Sequence, residues 1–403
     1  MPWNRPIVLL SVGHACVDVY QGAVASLVPF FAAERSYTYA AASGIALAAS
    51  VLSSVAQPVF GVLTDRRAIP WLLPVSTILG GLGVASSGLS GSYPLTLLFM
   101  AVSGIGVAAY HPESARVARL AGRGSHSAMG WFSFGGNIGF AVAPLMVAAV
   151  VSTGGLRFSP LLVVPAVVGS VLCLPVLRAL ERTTASGPGA PDAKGTDDMV
   201  SFVRLSLAVV CRSIAFVGLS TFISLYARQR TGGGTAAGTT ALFVLYLGGA
   251  AGTVLGSRLA SRWDRVTVVR MSYLLTVGAV AGTVFAPGSA IYPFIALTPI
   301  GLYVPFLLQV TLAQDYLPSR VGTAGGITLG LTVSIGGLAG PLIGSVADAT
   351  SLQTALTPLI LMPALSRLLY RGLPEPATPK HLDTPVPADA DPGVPAGTVR
   401  RTA

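Results

Sequence analysis

Long apolar segments, separated by short polar or glycine-rich breaks, recur along almost the whole chain. A helix needs about 20 apolar residues to cross the hydrocarbon core of a bilayer. Twelve segments have the length and composition of such a helix. They cover residues 7–31, 40–63, 70–89, 94–119, 127–151, 158–180, 202–227, 239–260, 267–286, 290–313, 322–347 and 353–370. The pattern predicts an all-α membrane protein with twelve transmembrane helices.

Two polar stretches divide this pattern. Residues 181–201 form the longest hydrophilic gap, which predicts a cytoplasmic linker between an N-terminal six-helix bundle (1–180) and a C-terminal one (202–371). Residues 372–403 are rich in Pro, Ala, Asp and Thr and contain few large apolar side chains. Such a composition cannot bury enough surface to fold, so we expect a disordered cytoplasmic tail.

The distribution of positive charge gives these helices an orientation. If the N-terminus is cytoplasmic, the inner loops and helix ends carry 17 Lys and Arg residues. The outer side then carries only Arg35, Arg157, Arg228 and Arg230. The positive-inside rule therefore predicts a multi-pass protein of the bacterial inner membrane with both termini in the cytoplasm. The first apolar segment contains Asp18 and no convincing cleavage site, so it is interpreted as a spanning helix and not as a signal peptide.

Composition excludes the main soluble classes. The chain is 52% hydrophobic and only 10% charged, whereas soluble domains carry about 25% charged residues. The net charge of +10 lies in short clusters between apolar segments, which argues against a nucleic-acid binder. The three cysteines have no metal-ligand spacing, and no nucleotide-binding motif is present. We expect no cofactor and no metal, and, without a nucleotide-binding motif, the energy for any transport comes from an ion gradient or from the substrate itself.

An internal repeat supports two related halves. A shift of about 197 residues aligns Gly139 with Gly336 and Pro144 with Pro341. Two pseudo-symmetric six-helix bundles are what a carrier with alternating access requires, with the substrate site between the bundles. Asp348, near the end of the eleventh predicted helix, is interpreted as a helix cap.

The loop after the second predicted helix resembles the signature of the major facilitator superfamily. Gly61, Leu63, Asp65 and Arg66 match its Gly-x-Leu-x-Asp-Arg spacing. The resemblance implies the major facilitator fold and a cytoplasmic charge latch, with gating roles for Gly61, Asp65 and Arg66. The alternative is a loop that is basic only because it is cytoplasmic.

The eleventh predicted helix carries a Gly-Pro motif at Gly340 and Pro341. Small residues let helix backbones approach closely, and proline removes a backbone hydrogen bond and bends a helix. A similar motif is found in helix five of drug–proton antiporters, so Gly340 and Pro341 are candidates for gating. Ordinary packing of a glycine-rich helix is the alternative.

A narrower resemblance is to the fosmidomycin resistance protein family of drug efflux transporters. It is carried by the segments 13–18, 57–61, 135–139 and, above all, His-Pro-Glu-Ser-Ala-Arg-Val-Ala-Arg at 111–119. The resemblance implies proton-driven efflux of a small anionic phosphonate antibiotic or a related compound. Met100 stands where the wider superfamily often has Arg, so proton coupling would use other groups.

Ionisable residues inside spanning helices are costly and by default indicate a functional pathway. His14 and Asp18 are one helical turn apart, so both face one side of the first helix. The fourth helix carries His111, Glu113 and Arg116. Asp18, His14, His111 and Glu113 are the candidates for proton coupling, and Arg116 for a gating ion pair with Glu113. A polar pair sealed by neighbouring helices and a purely structural ion pair are the alternatives.

Arg212 is the candidate for binding an anionic substrate, because a guanidinium group offers a fork of donors to phosphonate or carboxylate. It is also considered as a structural partner of Asp18. Polar side chains that could line the same cavity are Gln309, Asn137, Gln21 and Gln57.

Together these features predict a proton-coupled secondary transporter that exports a small anionic or drug-like compound, and not an enzyme. Uptake of an organic anion by proton symport fits the same fold, and a membrane sensor built on a transporter fold is a third hypothesis. The expected partners are a small-molecule substrate, protons and the lipid bilayer, with no nucleic acid, and the expected state is a monomer.

Overall fold

The computed structural model describes residues 5–67, 69–122, 126–181, 196–260 and 262–376. All of the regular secondary structure in these ranges is helical. The helices are α1 (Arg5–Glu34), α2 (Tyr39–Arg66), α3 (Leu72–Ser87), α4 (Tyr93–Ala121), α5 (His126–Gly154), α6 (Val164–Glu181), α7 (Met199–Thr231), α8 (Gly234–Ala260), α9 (Arg265–Phe285), α10 (Ile291–Tyr316), α11 (Val321–Ala349), α12 (Leu352–Leu356) and α13 (Leu361–Leu369). Short 3-10 segments precede α6 and join α12 to α13. Because α12 and α13 follow one another along 352–369, the helices within the described ranges form twelve spans, as predicted.

Nine of the described spans are long and apolar enough to cross a membrane by length and composition. The helix α3 is a shorter apolar helix, Leu72–Ser87, and the described side chains of α2 and α11 include apolar stretches at Tyr39–Ser53 and Ile335–Ala349. The helices α2 and α11 pack against one another at the boundary between the two halves.

The two halves repeat the same helix contacts, as the sequence repeat predicts. In the first half α5 lies on α1, and a Cβ added to Gly139 would meet the carbonyl oxygen of Ala15 at 2.3 Å. In the second half α11 lies on α7, and the backbone N–H of Gly336 donates to the Ser213 hydroxyl at 3.1 Å. The aligned glycines therefore allow the same close approach of helix backbones in both halves.

The halves are joined by hydrogen bonds at one end of the molecule, which we call the α1–α2 end after the loop that lies there. The Asp348 carboxylate at the end of α11 accepts from the backbone N–H of Tyr39 at 2.8 Å and of Ala40 at 3.0 Å. Gln229 on α7 donates to the Tyr39 hydroxyl at 2.7 Å. Asp348 is thus a helix cap, but it caps α2 of the opposite half. A negative charge at this position also favours the helix dipole.

A cleft of about 540 Å³ lies beside this junction. Pro29 and Ala33 at the end of α1 and Leu225, Arg228 and Gln229 near the end of α7 line part of it. Both halves therefore contribute to the cleft, and movement of one half against the other would change its width.

At the opposite end, the segments that flank the second half are held against it. Asp198 caps α7, which begins at Met199, three residues before the predicted boundary. Hydrogen bonds from the Ser319 hydroxyl and backbone N–H lower the pKa of Asp197 below its ordinary value. Glu375, in the segment predicted as tail, accepts from Arg265 at 2.7 Å and from the backbone N–H of Val266 at 2.9 Å. The rest of the predicted tail, 377–403, and most of the predicted linker, 182–195, lie outside the described residues.

Replacing Asp348 with Ala should loosen the junction at the α1–α2 end, because two charge-assisted hydrogen bonds to α2 are lost. Each such bond contributes about 1.5–3 kcal/mol, and a change of one or two kcal/mol alters an equilibrium by a factor of about 5–30. A cysteine introduced at Leu225, which lines the cleft, should therefore react with a water-soluble maleimide at least about fivefold faster in the Asp348 variant than in its parent. The measurement uses a background in which the three natural cysteines are replaced.

The matched control is Asp264→Ala. Asp264 is also an acid at a helix N-cap, but its side chain makes no capping hydrogen bond, so labelling at position 225 should not change. Equal labelling rates in the Asp348 variant and its parent would contradict the assignment of Asp348 as a junction between halves.

Candidate functional site

The candidate site surrounds Asp18, which lies near the middle of α1 and is 6% exposed. One turn earlier on the same helix, Nε2 of His14 lies 3.1 Å from Oδ2 of Asp18. From α4, Nε2 of His111 lies 3.4 Å from Oδ1 of the same carboxylate. The buried charge is therefore bordered by two imidazoles on two helices, and the predicted pairing of His14 with Asp18 is present in the structure.

The orientation of the His14 ring is set by α5. Nδ1 of His14 lies 2.9 Å from the carbonyl oxygen of Phe132, and the His14 ring stacks on the Phe132 ring with 4.2 Å between centroids. A carbonyl oxygen only accepts hydrogen bonds, so Nδ1 carries a hydrogen. In a neutral His14 the lone pair is then on Nε2, the atom nearest Asp18.

Gln21 completes the group on α1. Its Nε2 lies 2.9 Å from Nε2 of His111 and 3.4 Å from Oδ1 of Asp18. We call His14, Asp18, Gln21 and His111 the Asp18 cluster. The nearest ligand atoms of His14, Asp18 and His111 all lie within 4.8 Å of one another, which is close enough to share one bound cation.

Gly136 on α5 forms the wall of the Asp18 cluster. A Cβ at this position would lie 2.4 Å from Oδ2 of Asp18 and 2.9 Å from Nε2 of His14. Any larger side chain would displace the carboxylate or the ring. The glycine therefore creates the space in which Asp18 and His14 meet.

Glu113 and Arg116 form a separate ion pair on α4. Nε of Arg116 donates to Oε2 of Glu113 at 2.9 Å, and a second hydrogen bond joins Nη2 to Oε1. Glu113 is fully buried, whereas the Arg116 side chain is 31% exposed. The structure thus joins His111 to Asp18 and Glu113 to Arg116, so the four proton-coupling candidates do not form one group.

Arg212 lies on α7, is 2% exposed and has its guanidinium carbon 5.2 Å from the centroid of the Phe306 ring on α10. Gln309, which is fully buried on α10, donates a 2.8 Å hydrogen bond to the Tyr273 hydroxyl on α9. The Asp18 carboxylate has its ion-pair and side-chain hydrogen-bond partners in His14, His111 and Gln21 of its own cluster.

The other predicted site residues are spread more widely. Asn137 is half-buried on α5 next to Gly136, and Gln57 is half-buried on α2. The helix α2 continues through Gly61 to Arg66, and a Cβ on Gly61 would meet no atom within 4 Å. The helix α2 thus does not end at Gly61, and no described residue packs closely enough against Gly61 to require a glycine there.

Among the predicted gating residues, Gly340 and Pro341 lie on α11 at the junction of the halves. A Cβ on Gly340 would lie 3.6 Å from Cβ of Ser43 on α2. The side chains of Asp65 and Arg66 are outside the described residues, and the charge latch stays a prediction.

Sequence reasoning missed two contributors to the Asp18 cluster. The Phe132 carbonyl acts through the backbone and leaves no mark in the sequence. Gly136 belongs to the Gly-Gly-Asn-Ile-Gly segment at 135–139. A pair of glycines inside an apolar helix signals close approach of a neighbour, but not which side chain needs the space.

Comparison with known proteins assigns the class. The family model of the Major Facilitator Superfamily matches residues 10–341. The chain belongs to this superfamily, and its fold and family identify it as a multi-pass membrane transporter.

Similar proteins agree with this assignment. The chain is 28% identical to the fosmidomycin resistance protein of Escherichia coli strain K12 over 369 residues, which are 89% of this chain and 90% of the relative. It is 27% identical to the uncharacterized MFS-type transporter YfnC of Bacillus subtilis strain 168, over 90% of this chain and 91% of the relative. Similar solved structures include a bacterial homologue of the lysosomal transporter Spinster in an inward-facing and occupied conformation (TM-score 0.69, 16% identity, 91% and 95% of the two chains). The E. coli fucose:proton symporter FucP is another (TM-score 0.61, 16% identity, 91% and 98%).

Replacing Gly136 with Ala should disturb the Asp18 cluster directly, because the new Cβ would overlap the Asp18 carboxylate. Overpacking of this kind costs about 1–3 kcal/mol, so the thermal unfolding temperature of the purified protein should fall. The matched control is Gly278→Ala on α9, where a Cβ meets no atom within 4 Å. That change should leave Tm the same or raise it, since Ala favours a helix. A Gly136 variant as stable and as active as the parent would contradict the contact.

The Glu113–Arg116 pair should respond asymmetrically to substitution. Arg116→Leu leaves a fully buried carboxylate without its partner, a loss that costs about 3–5 kcal/mol. Glu113→Gln leaves a guanidinium group that still reaches solvent, so its cost should be smaller. Thermal unfolding of the two variants in the same detergent measures the difference. Equal destabilisation, or a greater effect of Glu113→Gln, would contradict the buried position of Glu113.

Proposed function

We propose that this transporter is a proton-coupled exporter of small anionic, drug-like compounds of the fosmidomycin type, working by alternating access. The observation that carries the proposal is the Asp18 cluster, in which a buried carboxylate in the first half is bordered by the buried imidazole of His14 and the half-buried imidazole of His111. Ionisable groups at such depth are typical of proton relays in transporters. The similarity to a protein named for fosmidomycin resistance supports the substrate class.

The geometry of His14 supports proton binding at the cluster. With Nδ1 committed to the Phe132 carbonyl, a neutral His14 would place its lone pair 3.1 Å from an ionised Asp18 oxygen. Two acceptors at this distance repel one another, whereas a proton on either atom makes the contact favourable. Movement of α5 would remove the Phe132 carbonyl and release this constraint. Protonation of Asp18 and the packing of α5 against α1 are therefore linked.

Arg212 is the proposed anion-binding group, with Gln309, Asn137, Gln21 and Gln57 as further polar candidates. Arg212 lies on α7 in the second half, whereas the Asp18 cluster lies in the first. The proton-binding carboxylate and the principal anion-binding group would thus lie in different halves, and rocking of the halves would connect the two events. The gating roles proposed for Gly61, Asp65, Arg66, Arg116, Gly340 and Pro341 belong to this movement.

We infer from the distribution of positive charge that both termini lie in the cytoplasm of a bacterium, so the α1–α2 end faces outward. The Asp348 junction would then close the outer side. Opening outward requires Asp348 to leave the N-terminus of α2. We further propose that one chain suffices for transport, because each substrate-binding and proton-binding candidate is present within it.

The decisive experiment uses proteoliposomes with an imposed pH gradient. Fosmidomycin export driven by this gradient should be lost in Asp18→Asn, because the amide cannot take up the transported proton. Counterflow exchange of substrate without a gradient should be retained. Gradient-driven export that is intact in Asp18→Asn would refute the role of Asp18, and export that is indifferent to collapse of the gradient would refute proton coupling.

Proton-coupled uptake of an organic anion is the second candidate, favoured by the similarity of fold to a fucose:proton symporter. The same proteoliposomes separate the two functions. Protons and substrate move in opposite directions during export by antiport and in the same direction during symport. If the protein is an exporter, its expression in cells should lower their sensitivity to fosmidomycin. If it is an uptake symporter, expression should raise the accumulation of fosmidomycin in the cells.

A further inference from the structure

A row of aromatic rings crosses from the first half to the second. The Phe140 ring on α5 lies 5.4 Å from the Tyr246 ring on α8, measured between centroids. Tyr246 neighbours Phe216 on α7 at 6.4 Å, and Phe216 lies edge-on to Tyr303 on α10 at 5.1 Å. Tyr303 in turn lies 6.0 Å from Phe306. These distances are those of interacting aromatic pairs.

Four of the five rings, Phe140, Phe216, Tyr303 and Phe306, are only half-buried although they lie well inside their helices. Their contacts run across the boundary between the halves and between α7, α8 and α10 of the second half. The row thus joins the two halves through Phe140 and Tyr246 and continues along the second half, and partly exposed apolar surface of this kind inside a helix bundle indicates a ligand site.

One end of the row is positively charged, because the Arg212 guanidinium lies over the Phe306 ring. Tyr303 lies beside Phe306 at this end of the row. Its ring packs against α8, where a Cβ on Gly249 would lie 3.0 Å from Cε2 of Tyr303.

We propose that these five rings form the wall of the substrate site and that the site prefers an anion carrying a flat apolar ring. Arg212 binds the anionic group by charge-assisted hydrogen bonds, and the ring of the substrate packs against Phe216 and Tyr303. This inference rests on the proposed function in that it assigns the cargo of the same site. Within the small anionic compounds of the proposed function, it predicts a preference for aryl or arylalkyl phosphonates and carboxylates over anions without a ring.

Three probes test the proposal by direct binding to the purified protein, without any transport. Benzylphosphonate carries both features, ethylphosphonate carries the charge without the ring, and benzyl alcohol carries the ring without the charge. Isothermal titration should show benzylphosphonate binding about tenfold more tightly than ethylphosphonate, which corresponds to about 1.4 kcal/mol. Benzyl alcohol should bind more weakly than benzylphosphonate.

Substitutions assign the two parts of the site. Phe216→Leu preserves apolar volume but removes the ring, so it should abolish most of the difference between the two phosphonates. Arg212→Gln should lower the affinity for both phosphonates by a similar factor of about ten or more. The matched control is Phe285→Ala, which removes an exposed ring at the end of α9 and should preserve the parent's order of affinities.

Equal affinity of the parent protein for the two phosphonates would overturn the proposal, and so would a ring preference that survives in Phe216→Leu. Absence of phosphonate binding to the parent would overturn it as well. A ring preference that depends on Phe216, found together with failure of fosmidomycin export in proteoliposomes, would support this site and refute the export function. The two proposals therefore fail separately.

Discussion

The carboxylate of Asp18 can lie at the middle of a spanning helix only because basic and hydrogen-bonding groups from neighbouring helices surround it. An uncompensated charge in this environment would cost several kcal/mol. His14 and Gln21 come from the same helix, His111 from α4, and the orientation of His14 from the α5 backbone. The arrangement of α1, α4 and α5 is therefore part of the electrostatic balance of the site and not only a scaffold for it.

Close backbone contact makes this arrangement possible. Gly139 lets α5 approach the backbone of α1 at Ala15. Three residues earlier on α5, Gly136 leaves room for the side chains of Asp18 and His14. In the second half the same helix pair is joined at Gly336 and Ser213. In the first half, α1 carries the carboxylate of Asp18. In the second half, α7, which corresponds to α1, carries the guanidinium group of Arg212. One packing geometry thus supports opposite charges in the two halves.

The sequence was sufficient for the twelve spans and the two related halves, because apolar length and repeated glycines are local signals. It also predicted the His14–Asp18 contact, since residues four apart share a helix face. The sequence did not show that His111 and Glu113 belong to separate groups, because it does not show which helices lie next to α4. Residues two apart on a helix point in different directions, so His111 reaches α1 while Glu113 pairs with Arg116. The Phe132 carbonyl was invisible because main-chain atoms are common to all residues.

The Asp348 junction has a consequence for how this protein can vary during evolution. Its carboxylate binds the N–H groups of Tyr39 and Ala40, and almost every amino acid supplies such a group. Substitutions at these two positions therefore preserve the hydrogen bonds to the Asp348 carboxylate unless they introduce proline, which has no N–H. Drift on α2 would not require compensation on α11, so correlated substitution between these positions is not expected. The contact can persist in relatives in which only the acid is recognisable.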